Sequence, residues 1–67
     1  MKDRLKIEGM MCPHCEARVQ EALQAFAEVE TAFVSHDTGI AEVTLNSPLS
    51  HEKLAAAVES QGYKVLE

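Results

Sequence analysis

An α+β fold of the ferredoxin-like, β-α-β-β-α-β kind is predicted for these 67 residues on three observations. Apolar and polar side chains alternate with period two in three short runs and a brief fourth. Two stretches between them repeat apolar residues at helical spacing. Turn-forming Gly, Asn, Ser, Asp and Pro separate the pieces. The order makes two similar halves of roughly 33 residues each. Right-handed crossovers then place both helices over one face of a four-stranded antiparallel sheet.

Each element has its own signal. Leu5 and Ile7 alternate with Arg4, Lys6 and Glu8, giving a first strand at about 2 to 8 with one wet face. Gly9-Met10-Met11-Cys12 breaks that pattern. Cys15, Val19, Ala22, Leu23 and Phe26 then recur at helical spacing, so a helix is expected from about Pro13 to Ala27. Proline suits the first helical position, where an N–H would find no partner in the helix. From Val29 to His36 alternation returns, with Ala32, Val34 and His36 on one face and Thr31, Phe33 and Ser35 on the other. Asp37-Thr38-Gly39 reads as a three-residue hairpin loop with glycine where φ is positive. Ile40 to Leu45 forms the next strand, turning Ala41, Val43 and Leu45 inward, and Asn46-Ser47-Pro48 ends it. Ser50 is the expected cap of a second helix, with Leu49 and Leu54 as a hydrophobic staple and Gly62 at its C-terminal end. Tyr63, Lys64 and Val65 are left for a short last strand. The expected core is Leu5, Ile7, Val19, Leu23, Phe26, Val34, Val43, Leu54 and Val58. Phe33 falls on the open sheet face.

Composition narrows the function. A chain this short holds one domain, taken as residues 1–67, and a domain near 60 residues buries only about 60% of its unfolded surface. No apolar run approaches the roughly 18 residues of a membrane span, so no direct membrane insertion is expected. Six basic against eleven acidic side chains give a net charge of −5, which disfavours nucleic acid and anionic membranes. Charges at Lys2, Asp3, Arg4, Lys6 and Glu8 do not fit a secretory signal, so the expected location is cytoplasmic, where thiols stay reduced.

Two cysteines are too few for the disulfide framework of a small secreted domain, and too close in sequence to close a useful loop. They read as chemistry instead. Cys12 falls in the loop and Cys15 in the first helical turn, so both sulfurs can converge before the helix N-terminus. Unpaired N–H groups and the positive end of the macrodipole favour thiolate there. Two soft sulfur ligands suit Cu(I), or Zn(II) and related ions when further ligands are found. A site with two protein ligands is also open to an incoming thiolate, which allows the ion to be handed on. A different chemistry shares the tetrapeptide: Cys-Pro-His-Cys is also the active-site sequence of DsbA-type thiol-disulfide oxidoreductases. Their fold needs a longer chain and sets a proline-bearing loop against the disulfide, whereas Pro48 precedes the second helix here.

Gly9-Met10-Met11-Cys12-Pro13-His14-Cys15, followed by Glu-Ala-Arg-Val-Gln-Glu-Ala-Leu, resembles the heavy-metal-associated domain of copper chaperones and of metal-transporting P-type ATPases. The likeness spans the chain, including Val29, Ala41, Val43 and the Gly62-Tyr63 pair. It implies a metal carrier and no enzyme, with Cys12 and Cys15 holding Cu(I) nearly linearly, Met10 packed beneath the loop and Tyr63 close to the site. It also implies transfer to or from a P-type ATPase or another such domain through shared three-coordinate copper. The chain is then a monomer, or a dimer bridged by the metal. Ala27 stands where many members have glycine, which suggests a different helix end. Members favouring Zn(II) often carry an acidic residue before the first cysteine, and Met11 there points toward copper. Mercury-binding relatives share the motif, so Hg(II) stands with Zn(II) as the alternative cargo.

His14, between the cysteines, reads either as a third ligand or as an exposed side chain at a helix start. Met10 reads as core packing rather than as a thioether ligand. His36 and His51 read as solvated surface histidines. Glu16, Glu21, Glu28 and Glu30 read as a solvated acidic face. Arg18 and Lys64 supply positive charge near the anionic site.

Overall fold

The structure, a computed structural model, describes residues 1–66. Glu67, the last residue of the expected domain, lies outside the described residues. The elements run β1 (Lys2–Glu8), α1 (Pro13–Gln24), β2 (Val29–Ser35), β3 (Ile40–Leu45), α2 (His51–Glu59) and β4 (Lys64–Val65). The four strands pair antiparallel in the order β2-β3-β1-β4, the ferredoxin-like arrangement.

Alternation places one face of the sheet against the helices. Leu5 of β1 pairs with Ala41 of β3, Val34 of β2 pairs with the same Ala41, and Ala32 pairs with Val43. All five are buried, and they meet Val19 and Leu23 of α1 and Leu54 and Val58 of α2 in one cluster. Each fully buried Leu or Val side chain stabilises the fold by about 1.5–3 kcal/mol relative to exposure. Phe26 packs at the edge of this core and is only half-buried, because α1 stops short of it. On the opposite face Phe33 is 69% exposed, as its phase in β2 requires.

The helix ends depart from sequence expectation in detail. α1 closes at Gln24 with Ala25 as its cap, and Val29 N–H reaching the Phe26 carbonyl turns the chain directly into β2. Ser50 caps α2 as expected: its hydroxyl accepts the Lys53 N–H at 3.3 Å. Leu49, half-buried, packs against the core of which fully buried Leu54 is part. At the other end Ser60 is the cap. Gly62 stands two residues further on, its N–H donating to the Glu59 carbonyl.

β2 carries a feature that simple alternation misses. Val29 pairs with Leu45 but Thr31 pairs with Thr44, a bulge that shifts the register by one residue. Val29 and Ala32 are therefore both buried although three positions apart. The loop to β3 has four residues, His36 to Gly39, since Ser35 pairs with Ile40. Gly39 has φ +72, and its carbonyl accepts the Ile7 N–H at 2.7 Å. That bond fastens the hairpin to the end of β1, where the site begins. Among the described residues, no helix is long and apolar enough to cross a membrane.

Candidate metal centre

The loop between β1 and α1 is built to present sulfur. Gly9 turns the chain at φ +102, a conformation that side chains with a Cβ rarely adopt. Met10 then drops into the core, only 6% exposed. Its neighbour Met11 points outward at 84% exposure. Cys12 takes the N-cap position of α1 with extended backbone and makes no capping bond with its side chain. Its carbonyl instead accepts from the Cys15 and Glu16 N–H groups, at 3.0 and 3.4 Å. The Cys12 sulfur takes no part in capping, and Pro13 begins the helix without wasting a donor.

Cys15, one turn in, brings its Sγ to 3.6 Å from that of Cys12. Both are free thiols and half-buried, reachable from solvent rather than sealed in the core. The Cys15 thiol is lowered to about 7. The main cause is the Tyr63 hydroxyl beside it, followed by the Met11 N–H and the Cys12 thiol, while partial desolvation opposes them. The Tyr63 hydroxyl is correspondingly raised, chiefly by Cys15, with Arg18 pulling the other way. Tyr63 follows Gly62 and precedes β4, so the turn after α2 delivers it to the loop, where its ring faces Gly9: a Cβ on Gly9 would sit 3.6 Å from Tyr63 Cδ1.

His14 is exposed. Among the described residues, no set of three His, Cys, Asp or Glu side chains forms a metal-holding cluster, so His14 does not gather with the cysteines into one. The two remaining histidines correct the sequence reading, because neither is simply solvated. The His36 backbone N–H donates to Glu16 Oε2 at 2.6 Å, and its ring Nδ1 lies 2.5 Å from the same oxygen. Glu16 is held below the usual carboxylate range, first by that backbone N–H and then by the ring, and His36 is raised chiefly by Glu16. His51 Nδ1 lies 2.9 Å from Asp3 Oδ2, joining α2 to β1 away from the cysteines. No local pattern flags either pair, since each joins residues distant in sequence.

Fold and site together define a small α+β domain that displays an accessible dithiol at a helix N-terminus. The chain belongs to the heavy-metal-associated domain family, whose pattern matches residues 4–64. A mercuric reductase of Serratia marcescens is 42% identical over 62 residues, covering 92% of this chain but 14% of that protein's length. The chain therefore spans only a small part of that relative. The copper chaperone CopZ of Staphylococcus epidermidis is 39% identical over 62 residues, covering 91% of each protein. Among solved structures, a CopZ metallochaperone superposes with a TM-score of 0.93 at 33% identity, covering 98% of this chain and 100% of the other.

Proposed function

We propose that the domain takes up one Cu(I) ion between Cys12 and Cys15 in the cytoplasm and passes it by thiolate exchange to the cysteine pair of a partner. The observation that carries this reading is two half-buried sulfurs 3.6 Å apart, one already near its ionisation point at neutral pH. Thiolate is the ligand form, so uptake displaces the remaining thiol protons. At a metal–sulfur distance of about 2.3 Å, that separation corresponds to a bent S–metal–S angle near 100°, whereas a linear ion would span roughly 4.6 Å. A bent pair leaves part of the ion's sphere open to an incoming thiolate. The linear form requires the Cys12 sulfur to swing outward, which its place outside the helix allows.

Transfer then proceeds through addition of a partner thiolate, a three-coordinate ion, and departure of Cys12 or Cys15 with no net redox change. The domain is a carrier in this reading, with Met10 anchoring the loop and Tyr63 stabilising the Cys15 thiolate. A P-type ATPase or another heavy-metal-associated domain is the fitting partner, and the likeness to CopZ over nearly the whole of both chains supports this. The likeness to mercuric reductases supports a second cargo, Hg(II), for the same dithiol. Their reductase activity, encoded in proteins of which this chain spans 11% to 14%, is not needed for that role.

Anaerobic competition of the reduced protein against chelators of known strength, with Cu(I), Zn(II) and Hg(II) in turn, tests the reading. Tight one-to-one Cu(I) binding that Cys12→Ser or Cys15→Ser abolishes is expected. Weak Cu(I) binding with rapid disulfide donation to a reduced peptide would make the domain an oxidoreductase instead.

A further inference from the structure

The four-residue turn from His36 to Gly39 touches both ends of the cysteine loop. At the strand end, the Gly39 carbonyl accepts the Ile7 N–H at 2.7 Å, two residues before Gly9 opens the loop. At the helix end, Glu16, which follows Cys15 directly, reaches the same turn: its Oε2 accepts the His36 N–H at 2.6 Å and meets His36 Nδ1 at 2.5 Å. The far side of the imidazole is steadied by Asp37, with Nε2 at 3.4 Å from Oδ1. The turn is itself closed by the Gly39 N–H donating to the Ser35 carbonyl at 2.9 Å. Glu16 and His36 are both only about a quarter exposed (27% and 28%), so the contact is partly shielded from water.

We propose that Glu16 is a positioning residue: by bracing the first turn of α1 against the β2–β3 hairpin, it fixes the Cys15 sulfur relative to Cys12 and so sets how firmly the pair holds its ion. The proposal rests on the reading of Cys15 as a ligand. Two sulfurs held at a set separation lose less freedom when they close on an ion, which is the general reason supporting contacts around a metal raise affinity. A carboxylate in the first turn of a helix also interacts favourably with the macrodipole, but that effect does not depend on His36 and does not place a sulfur. The brace predicts an effect of Glu16 that does.

The test uses Glu16→Ala, which removes both contacts, and Glu16→Gln, which removes the charge while keeping an oxygen for the His36 N–H. Comparing the two separates loss of the brace from loss of a negative charge beside the thiolates. Cu(I) affinity is measured by chelator competition at a temperature where thermal melts show every variant folded. Glu16→Ala is expected to lower the affinity by about tenfold, the lower end of what removing a supporting contact costs a metal site, with Glu16→Gln recovering most of it.

A second readout needs no metal. Cys12 and Cys15 are oxidised to a disulfide by glutathione disulfide, which takes up the two electrons and two protons and leaves as two glutathione thiols. The equilibrium constant reports how well the sulfurs are held together. Glu16→Ala should shift it several-fold from the wild-type and Glu16→Gln values. Unchanged Cu(I) affinity and an unchanged disulfide equilibrium in Glu16→Ala, even with a lowered melting temperature, would overturn the brace. Should the wild type bind no Cu(I), the cargo reading fails, and the disulfide equilibrium alone decides the brace.

Discussion

Tyr63, near the far end of the chain, is the largest single influence on the ionisation of Cys15. The two meet because β4 pairs with β1 at Ile7 and Glu8, immediately before the cysteine loop. The last turn of the chain is thus folded back over the loop, with the Tyr63 hydroxyl beside the sulfur that the first helix presents. The one contact lowers the thiol and raises the phenol.

Tyr63→Phe should therefore move Cys15 ionisation upward, toward the ordinary thiol value of 9.0. In the metal-free protein, iodoacetamide alkylation of Cys15, followed by peptide mass spectrometry across pH 5 to 10, should show an inflection at about 7 for wild type and a higher one for the variant. Coincident profiles would remove Tyr63 from the site.

The Glu16–His36 contact makes a prediction about stability against pH. Glu16 has its folded pKa depressed below 4.5, so its contribution is present above 4.5 and fades as pH falls through the folded value. His36 has its folded pKa raised above 6.5, so its contribution is full below 6.5 and fades as pH rises through the folded value. The melting temperature of metal-free wild type should exceed that of Glu16→Gln by most between pH 4.5 and 6.5. The gap narrows at either side; at alkaline pH what remains is only the stronger acceptance of the His36 backbone N–H by a carboxylate than by the amide oxygen that Gln would offer it.

Leu54 is fully buried where α2 meets the sheet. Truncation to alanine should cost about 2–5 kcal/mol, a large share of the roughly 5–15 kcal/mol available to a domain. Urea unfolding followed by far-UV circular dichroism measures it, with the midpoint lowered and the slope little changed.

Gly39→Ala should destabilise by more than about 1 kcal/mol, the scale of forcing a Cβ into left-handed backbone. Gly39 sits at φ +72, and an added Cβ would lie 3.0 Å from the Ile7 carbonyl oxygen, a backbone atom that cannot swing away. Because that turn also abuts the loop, the same urea experiment should show the variant below wild type at every pH.

Much of this was legible in the residues. Period two and period 3.6 gave the six elements in their order, Ser50 announced a capped helix, and Cys12 and Cys15 stood at the junction of loop and helix. The buried face of each strand also followed from alternation, except in β2. There the bulge between Val29 and Thr31 depends on pairing with β3 and leaves no mark in the strand itself. The same limit applies to the charged side chains. Glu16 resembles any other exposed helical glutamate, and His36 any other turn histidine, until the hairpin is laid against α1.

Residue spacing alone was enough for the β-α-β-β-α-β order, the apolar faces and the placing of two thiols where a helix begins, because these follow from periodicity along a chain with fixed backbone geometry. The packed fold added that the Tyr63 hydroxyl acts on Cys15 in particular, that Glu16 binds His36 and that Asp3 meets His51. Those contacts join residues distant in the chain, and their distances are set by strand order, register and helix docking, quantities that belong to the packed whole and to no segment of it.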